Sequence, residues 1–430
     1  MAGVRGLVCL LLAVSPLWSC GERQANGDDG SVDTGQQFVA DAADTTTVSP
    51  SHLKMAQRVE PSRLMEVVTA LAADDMAGRN NGTAGGKKAR QYLEQKLSAA
   101  GLEPLSKGTW QQPFEQGVNL LARIPGSDPS LADEVVIVGA HYDHLGSVGD
   151  GQGQCKPIQL AGHVGDTICN GAIDNAAGVA VALEIGRVLA SAENRPKRSV
   201  LIALFDAEEE GMLGSKHYAD TDPVVALANT VAMFSVDNVG SQLLTGDPTS
   251  FALDMEYSKR LRGHVLAANE ALGFQTWPVS SFFDGNGKRS DHYPFRLHQV
   301  PTIFFGSGSN AVYHTPADEP DEVDQTKLLN TARHALLVTL RVADTVERPD
   351  FIADPKAQIE DAHALLHFAE RILEKPSVAG LNQDDPLLKV VVSWQKKLSA
   401  YIAQPPQDEA GWAEYQSFVR GIITAVLTFL

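Results

Sequence analysis

EVVIVGAHYDHLG, residues 134–146, decides how the chain folds. The run Glu134 to Ala140 is almost wholly apolar, rich in β-branched residues, and stops at His141. It reads as a strand covered on both faces, which belongs inside a parallel sheet flanked by helices. Three more apolar runs follow, Ser199 to Phe205, Thr230 to Val236 and Val300 to Phe305, with helical patterns between them, notably Asn175 to Ala192 and Met255 to Leu272. Upstream, Leu64, Val67, Val68 and Leu71 recur at helical spacing, and Gly86 to Ala100 reads as a second helix closed by Gly101. The expected fold class is α/β, with a mixed, mostly parallel central sheet between helices. In such sheets chemistry gathers beyond the carboxyl ends of strands. His141, Glu208, Glu209 and Asp237 all fall within a few residues after these runs.

Five short segments carry residues of metal-ligand type: AHYDHLG (140–146), NGAIDNAAG (170–178), FDAEEEGMLGS (205–215), FSVDNVG (234–240) and YHTPADE (313–319). Together they offer two His, two Asp and one Glu as ligands with a spare Glu beside them, the inventory for two zinc ions sharing a carboxylate and a general base. A surface acidic run is the ordinary reading of Glu208-Glu209-Glu210, and a helix cap that of Asp174. The other segments override both.

In order and wording the five segments resemble the co-catalytic zinc exopeptidases, a family of bacterial leucyl-type aminopeptidases with glutamate carboxypeptidase and glutaminyl cyclase relatives. The resemblance runs from about Leu64 to Val342 and includes LAADDMAGRNNGTAGGKKARQYL (71–93) and NLLARIPGSDP (119–129), the latter leading into the first strand. Two features depart from the pattern. No protease-associated insert precedes the catalytic strands, and a loop with two cysteines separates His141 from Asp174. The resemblance implies a zinc aminopeptidase-like sheet and two Zn²⁺ per chain, one held by His141, Asp174 and Asp237 and the other by Asp174, Glu209 and His314. Aligned on the family's EExGxLGS, Glu208 is the general base that takes a proton from the attacking water, Glu209 the ligand, and Glu210 a solvated variable position. Tyr313 is placed to donate its hydroxyl to the developing oxyanion. Asp143 is expected to accept a hydrogen bond from the His141 nitrogen that faces away from metal, and His144 to be structural. Asp291, within SDHYPF (290–295), resembles a family motif near the substrate pocket, and Phe282 and Phe283 are candidates for an apolar side-chain site.

The implied activity is removal of N-terminal residues from peptides. The alternatives are a carboxypeptidase of the same family, for which Lys288 and Arg289 offer a carboxylate clamp, then a glutaminyl cyclase or a non-catalytic binding ectodomain. The oligomeric state is not readable. With a formal net charge of −18, nucleic acid and anionic lipid headgroups are excluded as partners, since both require a basic surface.

The amino terminus reads as an address. Arg5 and the apolar stretch Gly6 to Val14 lead to Leu17-Trp18-Ser19-Cys20, which resembles a bacterial lipobox. Residues 1–19 are then a signal peptide, and Cys20 carries lipid as the first mature residue. Residues 20–51, rich in Gly, Asp, Ser, Thr and Gln, form a lipid-anchored tether. The expected location is the cell envelope, with Gly21 favouring the outer membrane by resemblance and membrane contact limited to the anchor. Cys155 and Cys169, the cysteines left once Cys9 is removed and Cys20 lipidated, are expected to pair in that oxidising setting. The catalytic domain covers 52–348. Residues 349–430 form an accessory helical module with stretches at about 355–374, 386–403 and 408–429, the first carrying Ile359, Ala362, Leu366, Ala369, Ile372 and Leu373 on one face.

Overall fold

A computed structural model describes residues 48–429, apart from 106–107, 150–154, 159–162, 164, 194 and 285–287. The expected signal peptide, Cys20 and most of the expected tether lie outside the described residues.

One mixed sheet carries the architecture. Its strands are β1 (Glu103–Pro104), β2 (Gln111–Pro113), β3 (Val118–Ile124), β4 (Val135–His141), β5 (Ser199–Phe205), β6 (Thr230–Val236), β7 (Ser250–Leu253), β8 (Thr276–Pro278) and β9 (Thr302–Gly306). Their order is β1-β3-β5-β4-β6-β9-β7-β8, with β2 paired to β3. The four central strands β5, β4, β6 and β9 run parallel, and β3 and β7 flank them antiparallel. Every residue of β4, β5 and β6 is buried, which is why these strands read as unbroken apolar runs.

The elements differ from the sequence expectation in instructive places. The stretch 119–129 was expected to lead into the first strand; it is itself strand β3 as far as Ile124, because its polar Asn119 and Arg123 find partners in Gln112 and Ser199. The last central strand begins at Thr302, beyond Pro301. The helix expected from Asn175 begins at Gly178, since Asp174 and Asn175 take non-helical backbone angles. The helix expected from Met255 is interrupted at Ser258, whose extended backbone and hydroxyl cap a new start by accepting from the Leu261 amide.

The longer helices, α1 (Pro50–Ala56), α2 (Pro61–Leu71), α3 (Ala84–Ala99), α4 (Gly178–Ala190), α5 (Lys259–Leu272) and α6 (Gln325–Asp344), gather on one face of the sheet, and the short segments that carry Tyr218 and Phe295 cover the other. On one side α2, α4 and α6 bury a continuous apolar layer through Val68, Leu71, Ile185, Leu336 and Leu340. Three further helices follow, α7 (Glu360–Glu374), α8 (Leu387–Ala403) and α9 (Glu409–Phe429). They share a core of their own through Ala362, Leu398, Tyr415 and Val419. No described helix is long and apolar enough to cross a membrane.

Candidate metal centre

The register of the central strands assembles the site before any side chain is considered. His141 pairs with Phe205 across β4 and β5, and Gly139 pairs with Ser235 across β4 and β6, so His141, Asp206 and Asp237 emerge at one level. Just beyond the strands the chain turns sharply through the left-handed region at Ala207 (φ 55°) and Asn238 (φ 52°), and His314 itself adopts φ 61°. Such positions are costly for residues with a Cβ and concentrate where side-chain aim matters.

Asp174 lies at the centre. Its Oδ1 stands 3.2 Å from Nε2 of His141 and its Oδ2 3.1 Å from Nε2 of His314. Asp237 Oδ1 is 3.4 Å from His141 Nε2, and Glu209 Oε2 is 3.3 Å from His314 Nε2. Two ligand atoms held at 2.0–2.1 Å in a tetrahedral zinc array stand about 3.3 Å apart. Asp237 Oδ1 and His314 Nε2 are buried and make no hydrogen bond despite these separations, as befits atoms arranged around common centres. His141, Asp174 and Glu209 offer ligand atoms all within 4.8 Å of one another. The donor set of imidazole and carboxylate fits zinc.

The electrostatics follow the same division. Burial opposes charge on Asp174, yet the His141 and His314 rings against it hold its carboxyl well below the usual range. Glu208 goes the other way: burial, with Glu209, Asp291 and Asp237 nearby, pushes its carboxyl well above the ordinary value. It sits 4.0 Å from His141 Nε2.

Several residues hold this arrangement, and the sequence reading had not singled most of them out. Asp318, inside the YHTPADE segment, accepts from the amides of Ile173 and Asp174 at 2.8 and 3.0 Å, fixing the turn that aims Asp174. Asn175 does the helix capping: its Oδ1 accepts from Gly178 N while its Nδ2 donates to Val236 O at the end of β6. Asp174 is thereby left free of capping. The His141 ring makes its second hydrogen bond to the Asp143 carbonyl at 3.3 Å, not to the carboxylate as expected from sequence, whose Oδ1 is 3.6 Å away. The Asp143 carboxylate is instead turned to the amides of Glu208 and Glu209, one on each oxygen. His144, expected to be structural, contacts Glu209 Oε1 through Nδ1 at 2.8 Å and so orients an expected ligand. Gly171 permits that approach, because a Cβ there would lie 2.4 Å from the His144 ring.

Arg79 underlies the whole set. It is fully buried and donates to the carbonyls of Leu71, Tyr142, Asn170, Gly171 and Asp174, tying the turn after α2 to the loops that carry His141 and Asp174. Burial lowers its pKa, and the Asp174, Asp318, Asp143 and Glu209 carboxylates act against that lowering. Beside β5, Asp206 accepts from Val118 N and Tyr142 Oη, and burial next to Asp143 pushes it up to about 6.

A cavity opens from the cluster, lined by His141, Asp174, Glu208 and Asp237 at one end, and Tyr313 and Phe283 are in its wall. Tyr313 stacks on His314 with ring centroids 3.8 Å apart. The Phe282 side chain lies outside the described residues. Asp291 is not in the wall, contrary to its expected substrate-binding place. It is fully buried beside Ser215 and Asp237, and burial pushes its carboxyl up to about 7. Cys155 and Cys169 form a disulfide with 5.8 Å between their Cα atoms, closing the loop that leads into the Asp174 turn.

The pattern of Peptidase family M28 matches residues 119–339, about half of the sequence. The chain belongs to Peptidase family M28. Leupeptin-inactivating enzyme 1 of Streptomyces exfoliatus is 28% identical to this M28 chain over 248 residues, covering 56% of the chain and 48% of that protein. Aminopeptidase YwaD of Bacillus subtilis (strain 168) is 28% identical over 221 residues, covering 50% of the chain and 42% of that protein. The chain thus spans about half the length of these relatives or less. The solved aminopeptidase from Aneurinibacillus sp. strain AM-1 shares the fold with a TM-score of 0.51 and 18% identity, over 71% of this chain and 98% of that one. All five expected ligands, from His141 to His314, fall within the matched stretch; Arg79 and the three C-terminal helices lie outside it.

Proposed function

We propose that this M28 chain is a zinc-dependent aminopeptidase that removes N-terminal residues from peptides. The observation that carries the reading is Asp174, whose two carboxylate oxygens face two different imidazoles at 3.2 and 3.1 Å, the disposition of a carboxylate shared by two sites. His141, Asp174 and Asp237 would hold one zinc ion, and Asp174, Glu209 and His314 the other. Zinc bound there supplies Lewis acidity, which lowers the pKa of water and polarises a carbonyl. Glu208, beside these ligands and open to the cavity, takes the proton of the attacking water and delivers it to the leaving amine. Asp143 keeps the Glu208–Glu209 backbone in place through its two amide contacts, and His144 keeps Glu209 turned toward His314. Tyr313, in the cavity wall, donates its hydroxyl to the oxyanion that develops on the scissile carbonyl. The name of the Bacillus subtilis relative supports the exopeptidase direction.

A panel of aminoacyl chromophores and N-terminally blocked peptides, assayed with zinc, tests this. Cleavage confined to free amino termini, with two zinc ions per chain, is the expected result. Cleavage of blocked peptides from their carboxyl ends would replace it with the carboxypeptidase reading, favoured by one observation, that Arg289 lines the same cavity. Cyclisation of N-terminal glutamine with a single zinc would replace it with the cyclase reading. Attachment to the envelope by lipid at Cys20 belongs to the same proposal. Incorporation of labelled palmitate that persists in Cys20→Ala would remove it.

A further inference from the structure

The C-terminal helices lie outside the matched stretch, yet they reach the site. The cavity that begins at His141, Asp174, Glu208 and Asp237 ends against Leu365, Phe368 and Ile372 of α7 and Ile423 of α9. The three residues of α7 are spaced by three and four positions, so they form one stripe of the helix. The opposite wall comes from the catalytic body, through Phe251 of β7, Phe304 of β9 and Phe283. Phe368 packs on Phe251 with ring centroids 5.6 Å apart, so the two walls are one apolar surface. The stripe that the helix turns to the cavity carries no charge.

The helix is fastened so that this stripe stays in place. At its amino end the buried Asp361 carboxylate accepts from Ser280 N at 2.8 Å and Ser280 Oγ at 2.7 Å. At positions between the wall residues, His367 Nε2 meets Asp247 Oδ2 at 2.7 Å, and Arg371, in the last turn, donates to Gly246 O. Behind it, Tyr415 of α9 donates to Gln358 O and accepts from Ala362 N. Contacts at both ends and from behind define a rigid wall.

We propose that the C-terminal module is the specificity wall of the active site, where the face formed by Leu365, Phe368 and Ile372 receives a bulky apolar side chain of the substrate residue that carries the scissile carbonyl. The occupant follows from continuity. Besides the residues of the cluster, the polar side chains of the lining are Asn238, Arg289, Ser309 and Tyr313, and the rest is apolar, so an apolar side chain next to a scissile carbonyl held at the cluster lies along that apolar part. This assignment rests on the peptidase reading for its chemistry, but not on which end of the peptide is cut.

The test compares wild type with Phe368→Ala, which opens the wall, and Ile372→Trp, which fills it. The readout is the ratio of kcat/KM for phenylalanyl over alanyl chromophores, taken in both the free and the N-acetylated series. Calorimetric binding of phenylalaninamide against alaninamide serves as a readout independent of turnover. Both variants are expected to lower the ratio, on the order of tenfold, as expected for a few methylenes lost from or forced into an apolar pocket. Zinc content is expected to stay at the wild-type value. A general loss of stability would reduce both substrates together and leave the ratio alone. If both variants fold, bind zinc and keep the wild-type ratio and binding preference, the wall assignment is overturned. If only the N-acetylated series is cleaved, the aminopeptidase reading falls, while the ratio within that series still judges the wall.

Discussion

The strand-end cluster and the C-terminal helices meet in one cavity but are built by opposite means. At the cluster, polar side chains are held by polar neighbours: Asp318 holds Asp174, Asp143 holds the Glu208–Glu209 backbone, and His144 holds Glu209. Along α7 the surface turned to the cavity is apolar, and the polar contacts sit at its flanks, Asp361 on Ser280 and His367 on Asp247. The difference separates rate from preference. Changes in the cluster should alter turnover and metal content, whereas changes in the helices should alter docking and choice of side chain.

The strongest test of that separation is Glu208→Gln. Turnover is expected to fall by at least about 10²–10⁴-fold, the usual contribution of a general base. Metal content should remain near wild type by elemental analysis. Glu209→Gln should lose part of its metal, because a neutral amide is a poorer ligand than a carboxylate. If Glu209→Gln keeps all its metal while Glu208→Gln loses some, the two roles are exchanged. Next in size is the bridge. Removing it as Cys155→Ser/Cys169→Ser should cost about 3 kcal/mol of unfolding free energy in urea titrations, from restored loop entropy. Alkylation of both cysteines in the unreduced native protein would show that the bridge does not form.

On the helical side, the buried Asp361 carboxyl is raised from 3.8 to about 7, chiefly by burial. Its folded value exceeds its unfolded one, so its contribution to stability is fully present below about pH 4 and is lost as pH rises through about 7. The slope this group adds is at most about 1.4 kcal/mol per pH unit. Denaturant midpoints of wild type between pH 4 and 8 should therefore decline relative to those of Asp361→Asn. Parallel curves would remove Asp361 as a pH-sensitive fastening of the module. Smallest of all is Glu210→Gln. Glu210 is exposed, beside the half-buried Glu209 and the buried Glu208, so the variant's rate and metal content should stay within experimental error of wild type.

Much of the cluster was legible because short motifs fix residue identity at strand ends, and buried parallel strands leave unbroken apolar runs. Ser199–Phe205 and Thr230–Val236 are delimited by their own composition. What escaped is longer in range. Asp318 and Arg79 act on backbone groups far away in sequence, so nothing beside them announces the contact. Asp291 looked like a pocket residue because a motif cannot report which way a side chain is buried. The amphipathic face of α7 was visible as a pattern without its partner. Only the fold reveals that part of that helix borders a cavity.

Arg79 bears on the order in which the protein is put together. A small zinc domain typically has no fold until metal arrives, so metal binding and folding are one event. Here a permanent cation sits beneath the acids, with its guanidinium on carbonyls from Leu71 through Asp174. An arginine keeps its charge at any physiological pH, so it offsets their mutual repulsion before any ion is bound. Folding can thus precede metal loading.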